Sequence, residues 1–290
     1  YIRIVEIGDN NIKRILDKIS KGIPMEGFCN VNQGLVSGAD SLTNGHIQRF
    51  GIKGQKGDGI FVLRDEEIGK KNFDLFEMDR LKPFFKNSDV GKYKTNNSSD
   101  KKIIYIDRKL KNIDHVYPNI KKHLDRYYKI LNRRREVKKG YIEHFHLHWE
   151  RNEEIFKGEK IIAPQRSLSN TFAYNNIPWY SSADVYYITP KIQGVSLKYL
   201  LGILNSKLYY DWFYYRGKRK GSMLELYQTP LKETPIIFSQ EKEGGVIGLV
   251  NEMLKEKNVE RRELIQGKLD KMIYQIYKLT DEEIQYLVNK

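Results

Sequence analysis

Residues 160–221 set apolar and polar segments in an order around which the rest of the chain is organised. The apolar run Ile161-Ile162-Ala163, held between Lys160 and Pro164, reads as a strand. It passes directly into a polar loop, Gln165-Arg166-Ser167-Leu168-Ser169-Asn170. An aromatic segment over residues 172–180 leads to a second strand signal, Val185-Tyr186-Tyr187-Ile188-Thr189, which Pro190 stops. A long apolar helix is expected over residues 197–212, ending in Tyr214-Tyr215-Arg216-Gly217-Lys218-Arg219-Lys220-Gly221. A buried framework thus carries two polar, basic and aromatic loops to the surface.

Charge indicates what those loops meet. The 290 residues carry a net charge of +14 and include 20 tyrosines, while an apolar content of 40% is ordinary for a folded chain. Such an excess of cations makes a phosphate backbone the favoured large partner, with salt-dependent binding. Codon bias toward Lys, Ile, Asn and Tyr is the bland alternative. The single cysteine, Cys29, excludes an internal disulfide framework and suits a reducing compartment, and its alternating neighbours place it as a buried thiol. No apolar run approaches the ~20 residues that cross a bilayer, and no secretory signal is evident. The start at Tyr1 rather than methionine is expected of a piece of a longer protein.

The rest of the chain divides by pattern. Ile12, Ile15, Leu16 and Ile19 fall on one helical face. A strand signal over residues 28–31 runs into Asn32-Gln33-Gly34-Leu35-Val36-Ser37-Gly38-Ala39-Asp40-Ser41, a loop whose glycines permit a sharp turn or close approach to a ligand. The Lys-Ser/Thr ending of a phosphate loop is missing, so a plain hairpin competes with the ligand reading. Gly45, Gly51, Gly54, Gly57 and Gly59 mark hairpins or one long loop. Strands are expected over residues 59–63 and 102–106, and a helix over residues 74–81.

A helix is expected over residues 120–137, with Ile120, Leu124, Tyr128 and Leu131 on one face. Between Lys121 and Lys139 stand nine Lys or Arg against two acids, a surface that is either solvated or matched to phosphates. His144, His146 and His148 alternate, so on a strand they share a face. Three imidazoles can bind zinc, but an exposed strand face is the commoner arrangement and no cysteine supports a metal. Residues 224–237 read as extended, residues 246–279 as a long helix, and Thr280 with Glu283 as a capping box that starts a last helix.

Catalytic constellations are missing from this pattern. There is no zinc-protease helix, nucleophile elbow or dinucleotide fingerprint. Asn176-Ile177-Pro178-Trp179-Tyr180 departs from the Asn/Asp-Pro-Pro-Tyr/Phe loop of amino-methyltransferases at Ile177 and Trp179, and reads as structural. Asp58, Asp65, Glu66 and Glu67 near Lys70 give a faint nuclease-like cluster that is better explained as solvated acids. The tyrosines also permit an RNA-binding reading without selecting it.

The order of segments resembles the TaqI-like C-terminal specificity domain of DNA adenine-N6 methyltransferases, type IIG restriction-modification and phage-defence enzymes among them. The resemblance rests on residues 31–40, on Leu81-Lys82-Pro83-Phe84-Phe85-Lys86-Asn87-Ser88-Asp89-Val90, on Tyr117-Pro118 with the basic helix, on residues 160–164, on Leu201-Gly202-Ile203-Leu204-Asn205-Ser206-Lys207-Leu208, and on residues 276–284. It covers roughly residues 25–288. It implies an α+β fold: a strand-rich target-recognition domain with basic helices over residues 1–240, then a helical segment over residues 241–290 packing on it. It implies double-stranded DNA as partner, a cytoplasmic location, no membrane, and an N-terminal methyltransferase domain, in cis or as a subunit. That domain would bind S-adenosylmethionine; no cofactor, catalytic residue or metal site is expected in this chain. A separate specificity subunit is the nearest alternative.

Arg and Lys pair with guanine and Asn and Gln with adenine. Gln165, Arg166, Ser169, Asn170, Arg216, Lys218, Arg219 and Lys220 are therefore the first candidates for base or phosphate contact, with Tyr215 beside them. The glycine loop adds Gln33, Ser37 and Asp40, the basic helix adds Arg133 and Arg134, and Lys82 stands in the Leu81 segment.

Overall fold

The apolar run at 160–164 is wholly buried because it serves two cores at once. A computed structural model describes residues 10–289; residues 1–9 and 290, which the expected boundaries include, lie outside it. Lys160–Pro164 is the middle strand of a five-stranded sheet, flanked by Val185–Pro190 and then Cys29–Gln33 on one side, and by Ala173–Asn175 and then Tyr93–Lys94 on the other. All neighbours are antiparallel except Tyr93–Lys94, which runs parallel to Ala173–Asn175. Successive side chains on a strand face opposite ways. Ile161, Tyr186 and Ile188 enter one core, whereas Ile162, Val185 and Tyr187 enter the other. With both faces covered, the strands read as continuous apolar runs rather than alternating ones.

The first core lies under the N-terminal helix Asn10–Ile19 and the C-terminal helices Gln240–Lys255, Val259–Ile276 and Asp281–Asn289. Thr280 and Glu283 form the expected capping box, and Lys18 reaches Glu283 at 2.6 Å, tying the two ends of the described chain together. The second core lies under a four-stranded sheet, ordered Tyr180–Ser181, Leu81–Phe85, Lys101–Ile104, Val62–Arg64. Trp179 stacks on Phe85 at 4.6 Å and donates its indole N–H to the Asn96 carbonyl at 2.9 Å, so the Asn176–Tyr180 segment is indeed structural. Cys29 is buried, and burial pushes its thiol up to about 12. The fold is α+β, as expected.

Several expected elements are broken. The basic helix divides into Pro118–Asp125, Tyr128–Leu131 and Arg135–Lys138, because Tyr127 and Ile130 make tighter i to i−3 bonds with Leu124 and Tyr127. The 197–212 helix divides into Leu197–Leu204 and Lys207–Tyr215. Asn205 turns away to exchange hydrogen bonds with the Phe172 backbone, and Ser206 caps the second piece through Tyr209 N–H. Glu256 and Asn258 divide the 246–279 helix in the same manner. The stretch over residues 224–237 is not extended throughout: Gln228–Lys232 is helical, with Pro230 in the first turn where its missing N–H costs little. The histidine segment is a series of turns, not a strand.

Lys160 enters this framework as a fully buried cation. Its Nζ donates to the carbonyls of Gly158 at 2.8 Å and Ile177 at 2.7 Å, and burial pushes its ammonium down to about 8. The unfolded chain keeps that proton to about pH 10. Between about pH 8 and 10 the unfolded state therefore holds more protons, and stability rises with pH. Lys160→Met is expected to flatten this rise in urea melts taken across that window. An identical rise in wild type and variant would place the titration elsewhere.

Candidate nucleic-acid interface

The two loops singled out by sequence meet in a third, three-stranded sheet. Arg166–Ser167 pairs antiparallel with Met223–Glu225, which pairs antiparallel with Lys218–Lys220. Gly221, with φ of 60°, lets the last two strands turn tightly. Leu224 is buried and fixes the register, opposite Ser167 on one side and Arg219 on the other. Cross-strand partners share a face, so Arg166, Glu225 and Lys218 stand together on the opposite side, next to Met223 and Lys220.

Electrostatics separates these cations. The Arg166 guanidinium donates to Glu225 at 3.1 Å and to the Tyr227 hydroxyl at 2.5 Å, which fixes its orientation. Lys218 and Lys220 are exposed, and neither takes part in an ion pair among the described residues. The Arg219 guanidinium carbon lies over the Tyr214 ring, 3.9 Å from its centroid. Tyr214 in turn stacks with Tyr210 one helical turn earlier, at 5.9 Å, and meets Tyr215 edge-on at 5.0 Å. Lys207, Tyr210, Asp211, Tyr214 and Tyr215 line a cleft of about 330 Å³ beside the sheet. A guanidinium stacked on aromatics offers a flat surface for a base and a fork for its edge. Arg216 stands at the near end, 3.8 Å from Asp17.

A second basic patch forms where the glycine loop meets the broken helix. Arg49 and Arg133 lie 5.5 Å and 5.0 Å from the centroid of Phe50. With Gly38, His46 and Ile130 they line a groove of about 430 Å³. Of these, only Arg133 was named from sequence; the Tyr210/Tyr214 pair and Arg49/Phe50 were missed. The i, i+4 spacing of Tyr210 and Tyr214 on an otherwise apolar helix was the available signal.

Other candidates spend their polar groups on partners within the fold. Arg134 is buried and donates to the carbonyls of Ser37, His146 and His144 at 2.9, 2.8 and 2.6 Å. Asn170 is buried and donates to the carbonyls of Leu204 and Ser206, both at 2.7 Å. Ser37 is buried and donates to Asp40 at 2.5 Å, and Gln33 donates to the Ala183 carbonyl at 2.5 Å. These groups hold loops together. Ser169 packs on Thr171, Lys82 sits 3.5 Å from Asp79, and Gln165 is half-buried at the start of the small sheet.

The histidines and acids have separate partners too. His144 meets Asp125 at 2.6 Å, His146 meets the Leu110 carbonyl at 2.8 Å, and His148 lies 3.5 Å from Glu136. Glu67 accepts the N–H groups of Gly59 and Arg64, and Asp58 accepts that of Gln55. Among the described residues, no three His, Cys, Asp or Glu side chains are grouped to hold a metal, and no helix is long and apolar enough to cross a membrane.

The fold is shared with part of a solved restriction-modification enzyme. The type IIL restriction-modification enzyme MmeI, solved in complex with DNA, superimposes with a TM-score of 0.64 at 14% identity, over 93% of this chain and 35% of that enzyme. The type IIG restriction endonuclease BpuSI aligns with a TM-score of 0.44 at 12% identity, over 93% of this chain and 34% of that one. This chain therefore spans about a third of the length of either enzyme. No curated protein matches the sequence. The TaqI-like C-terminal specificity domain model matches residues 82–236, more than half of the chain, and the chain belongs to that family.

Proposed function

We propose that this chain reads double-stranded DNA as the target-recognition part of an S-adenosylmethionine-dependent DNA adenine-N6 methyltransferase of a restriction-modification or phage-defence system, acting in the cytoplasm. Methyl transfer, cofactor binding and extrusion of the target adenine belong, on this reading, to an N-terminal domain joined in cis or as a subunit. The observation that carries the reading is the three-stranded sheet. It draws two loops far apart in sequence onto one surface and leaves Lys218 and Lys220 without ion-pair partners there. Phosphate contacts by such lysines fix register, while base edges are read by oriented groups such as Arg219 and Arg166. Family membership and the MmeI–DNA complex support the same partner.

Binding of the chain to random duplex DNA, single-stranded DNA and RNA across a salt series tests this. Duplex is expected to win, with log K falling steeply against log salt and no response to S-adenosylmethionine. Preference for RNA, or binding of the cofactor by this chain, would refute the reading.

A further inference from the structure

Away from the small sheet, Lys70, Lys71, Lys122 and Arg126 converge with Asn72 and Asn119 on a cleft of about 170 Å³. Among the described residues none of the four cations takes part in an ion pair. The nearby Glu67 is turned to the Gly59 and Arg64 N–H groups instead. Burial, and then the neighbouring Arg126 charge, hold the Lys71 ammonium below its usual range, partly offset by Glu67 and Asp58. Four like charges at one cleft repel unless an anion lies among them.

At the rim of this cleft the surface changes character. Leu75 and Phe76 are 89% and 78% exposed, although two adjacent large apolar side chains in water are unfavourable. They are not on a loose loop. The helix Leu75–Asp79 is capped by Asp74 and anchored by Glu77, which is fully buried. Glu77 accepts the N–H groups of Asn119 and Ile120 at 2.7 and 2.9 Å and the Asn119 side-chain amide at 2.9 Å. Asn119 also lines the cleft, so Glu77 ties the apolar tip to the helix Pro118–Asp125 that carries Lys122. An apolar tip beside four cations that form no ion pair among the described residues suits a polyanion whose interior is apolar, rather than an uncharged protein surface.

We infer that this corner is a second duplex-DNA contact, at which Leu75 and Phe76 press as a wedge against a base step while Lys70, Lys71, Lys122 and Arg126 hold the flanking phosphates. Proteins that kink DNA use Phe and Leu in this manner, offsetting the loss of stacking with wider backbone contact. The inference rests on the DNA-reading proposal above and adds to it a distortion of the duplex.

The test uses the 290-residue chain and a random-sequence duplex carrying a dye at each end. Affinity is measured across a salt series and bending by energy transfer. Lys71→Gln with Arg126→Gln is expected to lower the slope of log K against log salt by about 0.9 for each lost phosphate contact. Leu75→Ser with Phe76→Ser replaces only exposed side chains, so the variant is expected to melt like the wild type. It should bind roughly tenfold more weakly with an unchanged slope, and bend the duplex less. A wild-type chain that prefers duplex, together with both variants indistinguishable from it, would overturn this inference and leave the DNA-reading proposal standing. A wild-type chain with no preference for duplex would overturn both.

Discussion

Glutamine in place of Lys218, Arg219 and Lys220 together is expected to weaken duplex binding about 100-fold near physiological salt and to lower the salt slope by about 1.8, at roughly 0.9 for each of the two lysine contacts to phosphate. The fold should tolerate the change. Lys218 and Lys220 are exposed, the buried Leu224 is untouched, and the Arg166 to Glu225 bond that joins the other pair of strands remains. Single substitutions separate the three residues. Lys218→Gln and Lys220→Gln should each weaken binding to all duplexes alike. Arg219→Lys keeps the charge but loses the planar group lying over Tyr214, so it should leave the slope nearly intact while reducing preference among sequences. Fluorescence anisotropy on a pool of duplexes checks both effects. An unchanged slope in the triple variant would remove this hairpin from the interface.

How far sequence carried the fold depended on what each residue faces. Ile12, Ile15, Leu16 and Ile19 gave the N-terminal helix outright, since all four enter one core. Ile161 and Ile162 marked a strand covered on both sides, because successive apolar side chains fill the two cores that meet there. Helix continuity was less legible. A periodic pattern runs on past Asn205-Ser206 and past Tyr127, and the breaks come from hydrogen bonds to Phe172 and Leu124 rather than from glycine or proline. Alternation misled at His144, His146 and His148, whose spacing suits a strand but whose ring and backbone atoms bond to Asp125, Leu110, Arg134 and Ser37.

The candidate interface was legible in composition but not in assembly. Both basic loops were recognisable, yet their union depends on Met223–Glu225, a strand too short to show any period. The apolar tip at Leu75 and Phe76 reads in sequence like any amphipathic turn; only Glu77, buried beneath it, shows which side faces water.

Arg133 and Arg134 are adjacent and chemically identical, and their expected behaviour on substitution is opposite. Arg134→Met should destabilise the chain by about 1–3 kcal/mol or more, the usual cost of leaving buried acceptors without their donor. Its guanidinium joins three segments, bonding to Ser37 in the glycine loop, to Leu131 in the broken helix at 3.0 Å, and to His144 and His146 in the histidine turns. Burial pushes it down to about 10, so it stays protonated at neutral pH and keeps donating. Without it, buried carbonyls lose their partner, and an apolar side chain of similar length cannot replace the bonds. Arg134→Lys should recover only part of the loss, because one ammonium cannot span carbonyls set around a planar fork. Gly38 supplies an independent check. Its φ is 88°, and a Cβ there would lie 2.5 Å from Arg134 Cδ, so Gly38→Ala should also destabilise the same junction. Arg133→Gln, at an exposed position over Phe50, should change stability by less than about 0.5 kcal/mol. Urea melts of the four variants decide the matter: a loss below about 1 kcal/mol for Arg134→Met would show that water satisfies the freed carbonyls. A large loss confined to Arg134 and Gly38 would establish that the basic stretch combines one internal fastener with cations left over for a partner, a division that charge counting along the sequence cannot make.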